Sequence, residues 1–121
     1  MLEFKVVLEK GNAQEYLNEH KIDTDISKMM VMNVVEGEKI VGVGALSMDI
    51  TGAVLEEICA DNQQIEYGLG KAMLNALDLG GIKNIYIKND ALKDIAAKLL
   101  FKENDKGELF LCLEGYFEGG C

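Results

Sequence analysis

Two glycines separated by one residue, Gly68 and Gly70, are the strongest chemical signal in the sequence. They follow a β-rich stretch and open a segment of helical periodicity, so we expect a strand, a polar loop and a helix in that order. At such a junction free backbone N–H groups and the positive end of the helix attract an anion. Glycine also lets a diphosphate approach the backbone without a Cβ in the way. A GxG pair alone is equally consistent with a tight helix start.

Two adjacent carboxylates, Glu56 and Glu57, lie on the predicted strand 53–60 just before the glycines. A carboxylate placed there can remove a proton from an amine as a general base. Because neighbouring residues of a strand point to opposite faces, we expect only one of the two to face a site. We favour Glu57, which by alternation shares a face with Leu55 and Cys59. The alternative is that both are solvated carboxylates outside the core.

Cysteine and histidine give no second candidate of comparable strength. The one histidine, His20, lies in a different segment from Cys59, so a Cys–His pair would need a chance contact in the fold. We therefore expect Cys59 to be a buried strand residue, and we predict no metal site. The three widely spaced cysteines without a CxxC motif favour reduced thiols and a cytoplasmic location. They are Cys59, Cys112 and Cys121.

Composition and charge exclude several classes of partner. The 121-residue chain has 12 lysines and no arginine against 21 acidic residues, which gives a net charge of −9. Nucleic-acid binding needs a basic surface and usually arginine, so we expect no DNA or RNA partner. We also expect no membrane partner, since the chain is acidic and lacks a spanning apolar stretch, and no signal peptide in residues 1–10. A charged small-molecule partner is expected to be cationic, such as an amine.

Hydrophobic periodicity predicts the elements that position these residues. Strands are predicted at 2–8, 29–35, 39–46, 53–60, 82–88 and 109–113. Helices are predicted at 13–20, 68–79 and 92–100. No repeat, linker or shift in composition divides the chain, so we predict one domain over residues 1–121. This mixed order of elements favours one α/β sheet with helices packed on its faces.

The order of elements, together with the glycines, resembles the GNAT superfamily of N-acyltransferases. Residues 58–74 align without a gap to the family pattern L-x-V-x-P-E-x-R-G-x-G-x-G-K-A-L-L. Residues 89–101 meet the later pattern N-x-x-A-x-x-L-Y-x-K-x-G-F, and residues 34–46 resemble the usual hairpin. The resemblance implies an α/β domain with a mixed, twisted sheet, in which the amino-terminal strands are antiparallel, the central pair is parallel and helices flank both.

The resemblance also implies an acyl-CoA-dependent N-acetyltransferase, in which the amine of a small cationic acceptor attacks acetyl-CoA directly. In that family the loop before the third helix holds the pyrophosphate. The fourth strand splays from the fifth, and the pantetheine arm pairs with its free edge. Carried over, the pyrophosphate site is Ile65, Glu66, Tyr67, Gly68, Leu69, Gly70 and Lys71. The pantetheine would run beside Ile58, Cys59 and Ala60, and Asn89 is added from the later pattern.

The sequence departs from the family pattern at positions that matter for chemistry. Ile65 replaces the usual Arg or Gln, and Glu66 replaces a glycine, which places a carboxylate beside the phosphate site. The tyrosine that protonates the departing thiolate falls at Ala96, so Tyr67, Tyr86 or a water would have to substitute. A second hypothesis therefore stays open, a catalytically degenerate GNAT domain that acts as a CoA-binding or protein-interaction module. A homodimer through the carboxyl-terminal tail also stays open.

Overall fold

Within residues 1–117, which the computed structural model describes, seven strands and three helices follow one another in nearly the predicted order. The strands are β1 (Leu2–Val7), β2 (Met30–Glu36), β3 (Lys39–Asp49), β4 (Gly52–Ala60), β5 (Asn84–Ile87), β6 (Lys102–Glu103) and β7 (Leu109–Cys112). The helices are α1 (Gly11–Glu19), α2 (Gln63–Leu79) and α3 (Lys93–Lys98), with a 3₁₀ turn at Asp90–Leu92 before α3. The short β6 was missed, because two residues carry no readable alternation. Cys121 and the end of the tail proposed for dimerisation lie outside the described residues.

The seven strands form one mixed sheet in the order β1-β2-β3-β4-β5-β7-β6. The first four strands make an antiparallel meander, and β7 lies antiparallel between β5 and β6. The central pair, β4 and β5, is parallel, and α2 makes the crossover connection that a parallel pair requires. The predicted α/β class, with antiparallel amino-terminal strands and a parallel central pair, is confirmed.

Helices cover both faces of the sheet, as expected. The α2 and α3 face holds the main core, in which α2 contributes Leu69, Met73, Leu74 and Leu77, and α3 contributes Ile95 and Ala96. The α1 face holds a smaller core built from Ala13, Tyr16, Leu17, Ile26, Val31, Val43 and Ala45. No helix of the described chain is long and apolar enough to cross a membrane.

The helix α2 begins at Gln63, so the prediction of a polar loop that continues to the glycines is wrong. Asn62 caps the helix, because its side-chain oxygen accepts a hydrogen bond from the Ile65 N–H at 2.9 Å. The Glu66 N–H donates to the Asn62 carbonyl at 3.0 Å, which is the first helical bond of this turn. This capping starts the helix before the glycines, and they lie within it.

Candidate functional site

The sheet opens between β4 and β5, as the resemblance implied. Only Ala53 and Val54 of β4 pair with β5, opposite Ile85 and Tyr86. The rest of β4 continues to Ala60 without a strand partner on that side among the described residues. Backbone N–H and C=O groups along this part of β4 are therefore left for another partner. The opening is a natural docking edge for an extended ligand.

A β-bulge at Glu56 changes which side chains of β4 lie on the same face of the sheet. Ala45 of β3 pairs with Glu57, whereas the next residue of β3 pairs with Leu55, so Glu56 is the extra residue. Leu55 consequently packs in the main core under α2, whereas Glu57 lies opposite Ala45 of the α1-face core, in which Cys59 also packs. The expectation that Leu55 and Glu57 share a face is wrong, because the bulge adds one residue to the alternation.

The two glutamates lie on the same face of the sheet, contrary to the expectation from simple alternation. The Ser47 hydroxyl donates to the Glu56 carboxylate at 2.5 Å. Ser47 follows Leu46 of the main core on β3 and so points to the opposite, α1 face. Glu57 is buried, with 7% exposure, whereas Glu56 is only half-buried. The bulge thus gathers two carboxylates on the α1 face and buries one of them.

Glu57 is held by two neutral hydrogen-bond donors. The Thr24 hydroxyl donates to one carboxylate oxygen at 2.7 Å, and the Asn89 side-chain amide donates to the other at 3.4 Å. Among the described residues no lysine lies within ion-pair distance of Glu57. The Asn89 amide also lies 3.3 Å from the Glu56 carbonyl oxygen, on β4 beyond its last pair with β5. Asn89 therefore places the buried carboxylate at the opening of the sheet.

Cys59 lies two residues beyond Glu57 and is half-buried. Burial raises the pKa of its thiol, and the carboxylates of Glu66, Glu57 and Asp61 raise it further. The thiol is therefore protonated at neutral pH and poorly nucleophilic. His20 stacks instead on Tyr16, with ring centroids 4.2 Å apart. Within residues 1–117 no group of three or more His, Cys, Asp or Glu is arranged to hold a metal ion.

Tyr16 anchors α1 to the start of the turn between β4 and α2. Its hydroxyl lies 2.8 Å from a carboxylate oxygen of Asp61 and 3.1 Å from the Val41 carbonyl oxygen, and can donate to either. Burial, followed by the hydrogen bond and the charge of Asp61, raises the pKa of the Tyr16 hydroxyl, which therefore stays protonated. This contact fixes α1 on its face of the sheet. It was not readable from the sequence, because Tyr16 and Asp61 are distant along the chain.

A cleft of about 490 Å³ lies between the first turns of α2, β4 and α3. Its charged side chains are Glu66, Asp94 and Lys98, so carboxylates outnumber cations there. Its remaining lining residues are Ile58, Gln63, Ala91, Leu92, Ile95 and Ala97. A second cleft of about 570 Å³ lies between α3 and the β6–β7 hairpin and includes Asn89.

Several solved acetyltransferases share this architecture. An N-acetyltransferase from Staphylococcus aureus Mu50 matches with a TM-score of 0.68 and 16% identity, over 94% of this chain and 99% of that one. A GNAT family acetyltransferase from Elizabethkingia anophelis, solved with acetyl-CoA bound, matches with a TM-score of 0.62 and 14% identity, over 86% and 78%. The chain has the GNAT fold. The Escherichia coli ribosomal-protein-S18-alanine N-acetyltransferase shares it, with a TM-score of 0.65 and 12% identity over 93% and 90%. No protein-family model and no curated protein sequence matches the chain.

In this GNAT fold the residues predicted to cradle pyrophosphate lie within α2, so their amides from Glu66 onward donate to carbonyls one turn earlier. The N–H groups of Gln63 and Gln64, in the first turn, have no helical partner. A Cβ on Gly70 would lie 2.8 Å from Leu99, and one on Gly68 would lie 3.4 Å from Phe4. Both glycines therefore lie at packing surfaces within the helix.

Lys71 packs against aromatic rings and does not line the cleft. Its ammonium lies 4.5 Å from the centre of the Tyr116 ring, 5.2 Å from that of Phe117 and 5.9 Å from that of Tyr67. The cation that does line the cleft is Lys98, which the sequence analysis did not single out. The signal that could have identified it is the lysine of the later GNAT pattern, which falls on Lys98.

Two of the positions considered as proton donors to the departing thiolate are Ala96 and Tyr86. Ala96 is fully buried in the main core. Tyr86 pairs with Val54 where the two strands part and packs against the Phe110 ring at 5.1 Å between centroids.

Proposed function

We propose that the protein is an acyl-CoA-dependent N-acetyltransferase that moves an acetyl group from acetyl-CoA to an amine of a small cationic acceptor. The observation that carries this proposal is the opening beside β4, with the buried Glu57 carboxylate held at it by Asn89. The GNAT fold supports it, since a protein of this fold was solved with acetyl-CoA bound.

The pantetheine part of acetyl-CoA fits the opening better than the diphosphate part does. The unpaired stretch of β4 that ends with Ile58, Cys59 and Ala60 offers backbone groups to an extended chain of amides, as in strand addition. For the diphosphate, the free N–H groups at the start of α2 and the Lys98 ammonium would be the donors. Glu66 in the same cleft opposes a polyanion. We therefore expect weak binding of acetyl-CoA.

In the proposed reaction Glu57 accepts the proton that the amine loses. The amine nitrogen attacks the thioester carbonyl carbon, the C–N bond forms, and the C–S bond then breaks to release the thiolate. Solvent water supplies a proton to the thiolate and takes up the proton held by Glu57, so the proton that the amine loses balances the one that sulfur gains. A cationic acceptor is favoured because Glu56 and Glu57 share the α1 face and the chain carries a net charge of −9.

The test is incubation with acetyl-CoA and a panel of small amines that includes a polyamine and an amino-acid amide. Mass spectrometry should detect acetylated amine and free CoA in equal amounts. Release of CoA without any acetylated amine would indicate thioester hydrolysis and contradict transfer.

A second candidate is a catalytically degenerate GNAT domain that binds CoA or a protein partner without turnover. The observation that favours it is the helical conformation of the predicted cradle, together with the packing of Lys71 under aromatic rings. Under this hypothesis no amine in the panel would be acetylated, whether or not calorimetry detects binding of CoA or acetyl-CoA.

A further inference from the structure

The outer edge of β1 is an unprotected strand edge with an exposed apolar row. β1 pairs with β2 over six residues without a bulge, and its other edge has no strand partner within residues 1–117. Leu2, Phe4 and Val6 are 37%, 40% and 55% exposed, on one face of the strand. Natural sheets protect such edges with proline, a bulge or charged side chains. β1 has no proline and no bulge, and its two charged residues, Glu3 and Lys5, already pair with each other at 3.7 Å on the face opposite the apolar row.

The sequence of β1 is complementary to itself in an antiparallel pair. When two copies cross with Phe4 opposite Phe4, Leu2 lies opposite Val6 and Glu3 lies opposite Lys5. Because directly opposite residues share a face, the apolar rows meet on one face and each acid meets a base on the other. A shift of two residues places Glu3 opposite Glu3 or Lys5 opposite Lys5. A shift of one residue places apolar side chains opposite charged ones.

We propose that two copies of this chain pair through their β1 edges, antiparallel about a two-fold axis at Phe4, to form one continuous sheet. Such an isologous contact closes on itself, as a two-fold dimer requires. β2 and β3 separate β1 from β4, so both β4–β5 openings stay accessible in the dimer. The contact lies at the opposite end of the sheet from β6 and β7, and it is therefore distinct from a dimer formed through the tail.

Charge reversal at the two opposed positions tests this register. Glu3→Lys places Lys opposite Lys twice in a self-dimer, and Lys5→Glu places Glu opposite Glu twice. A mixture of the two variants restores an acid–base pair at both sites. Glu3→Lys changes the net charge of a chain from −9 to −7 and Lys5→Glu changes it to −11, so the mixed dimer keeps the −18 of the wild-type dimer. The mixed dimer and the wild-type dimer therefore have the same total charge, and total charge cannot account for a difference in their stability.

Sedimentation velocity at several concentrations is the measurement. We expect dimers of the wild-type protein at about 100 µM, as for a Kd in the micromolar range. Each single variant should dimerise about tenfold or more weakly, as expected for two cross-strand charge pairs made repulsive. The equimolar mixture should recover wild-type behaviour. Because Glu3→Lys makes the chain less acidic, a general charge effect would strengthen its self-association, which is opposite to the expected result.

The matched control is Glu15→Lys, the same charge change on the exposed surface of α1, and it should leave dimerisation unchanged. Far-ultraviolet circular dichroism checks that every variant keeps the fold. Because each single variant also loses the Glu3–Lys5 ion pair within its own strand, recovery in the mixture is the result that tests the register. A wild-type protein that stays monomeric at about 100 µM, well above a micromolar Kd, would overturn the proposal. A dimer that neither charge reversal weakens, or variants whose mixture stays monomeric, would overturn it equally.

Discussion

Glu57 is the side chain on which the proposed chemistry depends. It is buried at the opening of the sheet and oriented by Thr24 and Asn89, so it can take a proton without being free to move. Glu57→Gln should lower kcat by about 100-fold or more, since general-base catalysis contributes that much. Glu56→Gln is the matched control, because Glu56 lies on the same face but is held by Ser47, and it should change kcat by only a few-fold.

Steady-state kinetics and the thermal shift caused by acetyl-CoA should be measured on both variants. A Glu57→Gln protein that keeps the acetyl-CoA shift but loses turnover supports the assigned role. If Glu56→Gln proves the more damaging of the two, the assignment of the base is wrong.

Cys59 makes stability depend on pH at the alkaline end. The folded protein raises the pKa of this thiol above its ordinary value near 9, because burial disfavours the thiolate. As pH rises past 9 the thiol of the unfolded chain ionises first, so the free energy of unfolding falls. Cys59→Ala should lose less stability than the wild type between pH 8 and pH 10, as measured by urea denaturation. The exposed Cys112 provides the control, and Cys112→Ala should follow the wild-type curve.

At the scale of elements, the two glycines of α2 should respond differently to the same substitution. In Gly70→Ala the new methyl group would lie 2.8 Å from the fully buried Leu99, so we expect a loss of about 1 kcal/mol after the gain in helix propensity. In Gly68→Ala the nearest atom is 3.4 Å away, on Phe4, so the change should be neutral or slightly stabilising. Urea denaturation measures both. Equal stability of the two variants, with acetyl-CoA binding lost in each, would instead support a phosphate cradle at the glycines.

The element order and the sheet class could be predicted because alternation and helical spacing are local properties of the sequence. The start of α2 was predicted too late, because the glycines were interpreted as the start of the helix. Asn62, a good helix cap, is the signal that marks the observed start. The bulge at Glu56 could not be predicted, because it depends on pairing with β3. Thr24 was missed as a partner of Glu57 for a similar reason, since the two are 33 residues apart.

At the scale of the whole molecule, the proposed activity requires an acidic protein to hold a polyanionic cosubstrate. The cleft that would receive the diphosphate contains Glu66 and Asp94 against Lys98. Glu66→Gln should lower KM for acetyl-CoA several-fold, and Lys98→Gln should raise it by a similar factor, because each changes the local charge by one unit. Unchanged KM in both variants would place the diphosphate elsewhere.

The central claim is that this GNAT fold binds and uses acetyl-CoA, and thermal unfolding in the presence of acetyl-CoA tests it most directly. Acetyl-CoA should raise Tm in a concentration-dependent manner, since a ligand at about 100 times its Kd stabilises the folded state by about 2.7 kcal/mol. We predict a shift that appears in the high micromolar to millimolar range and is larger for Glu66→Gln than for the wild type. An unchanged Tm for both proteins at millimolar acetyl-CoA would contradict the account.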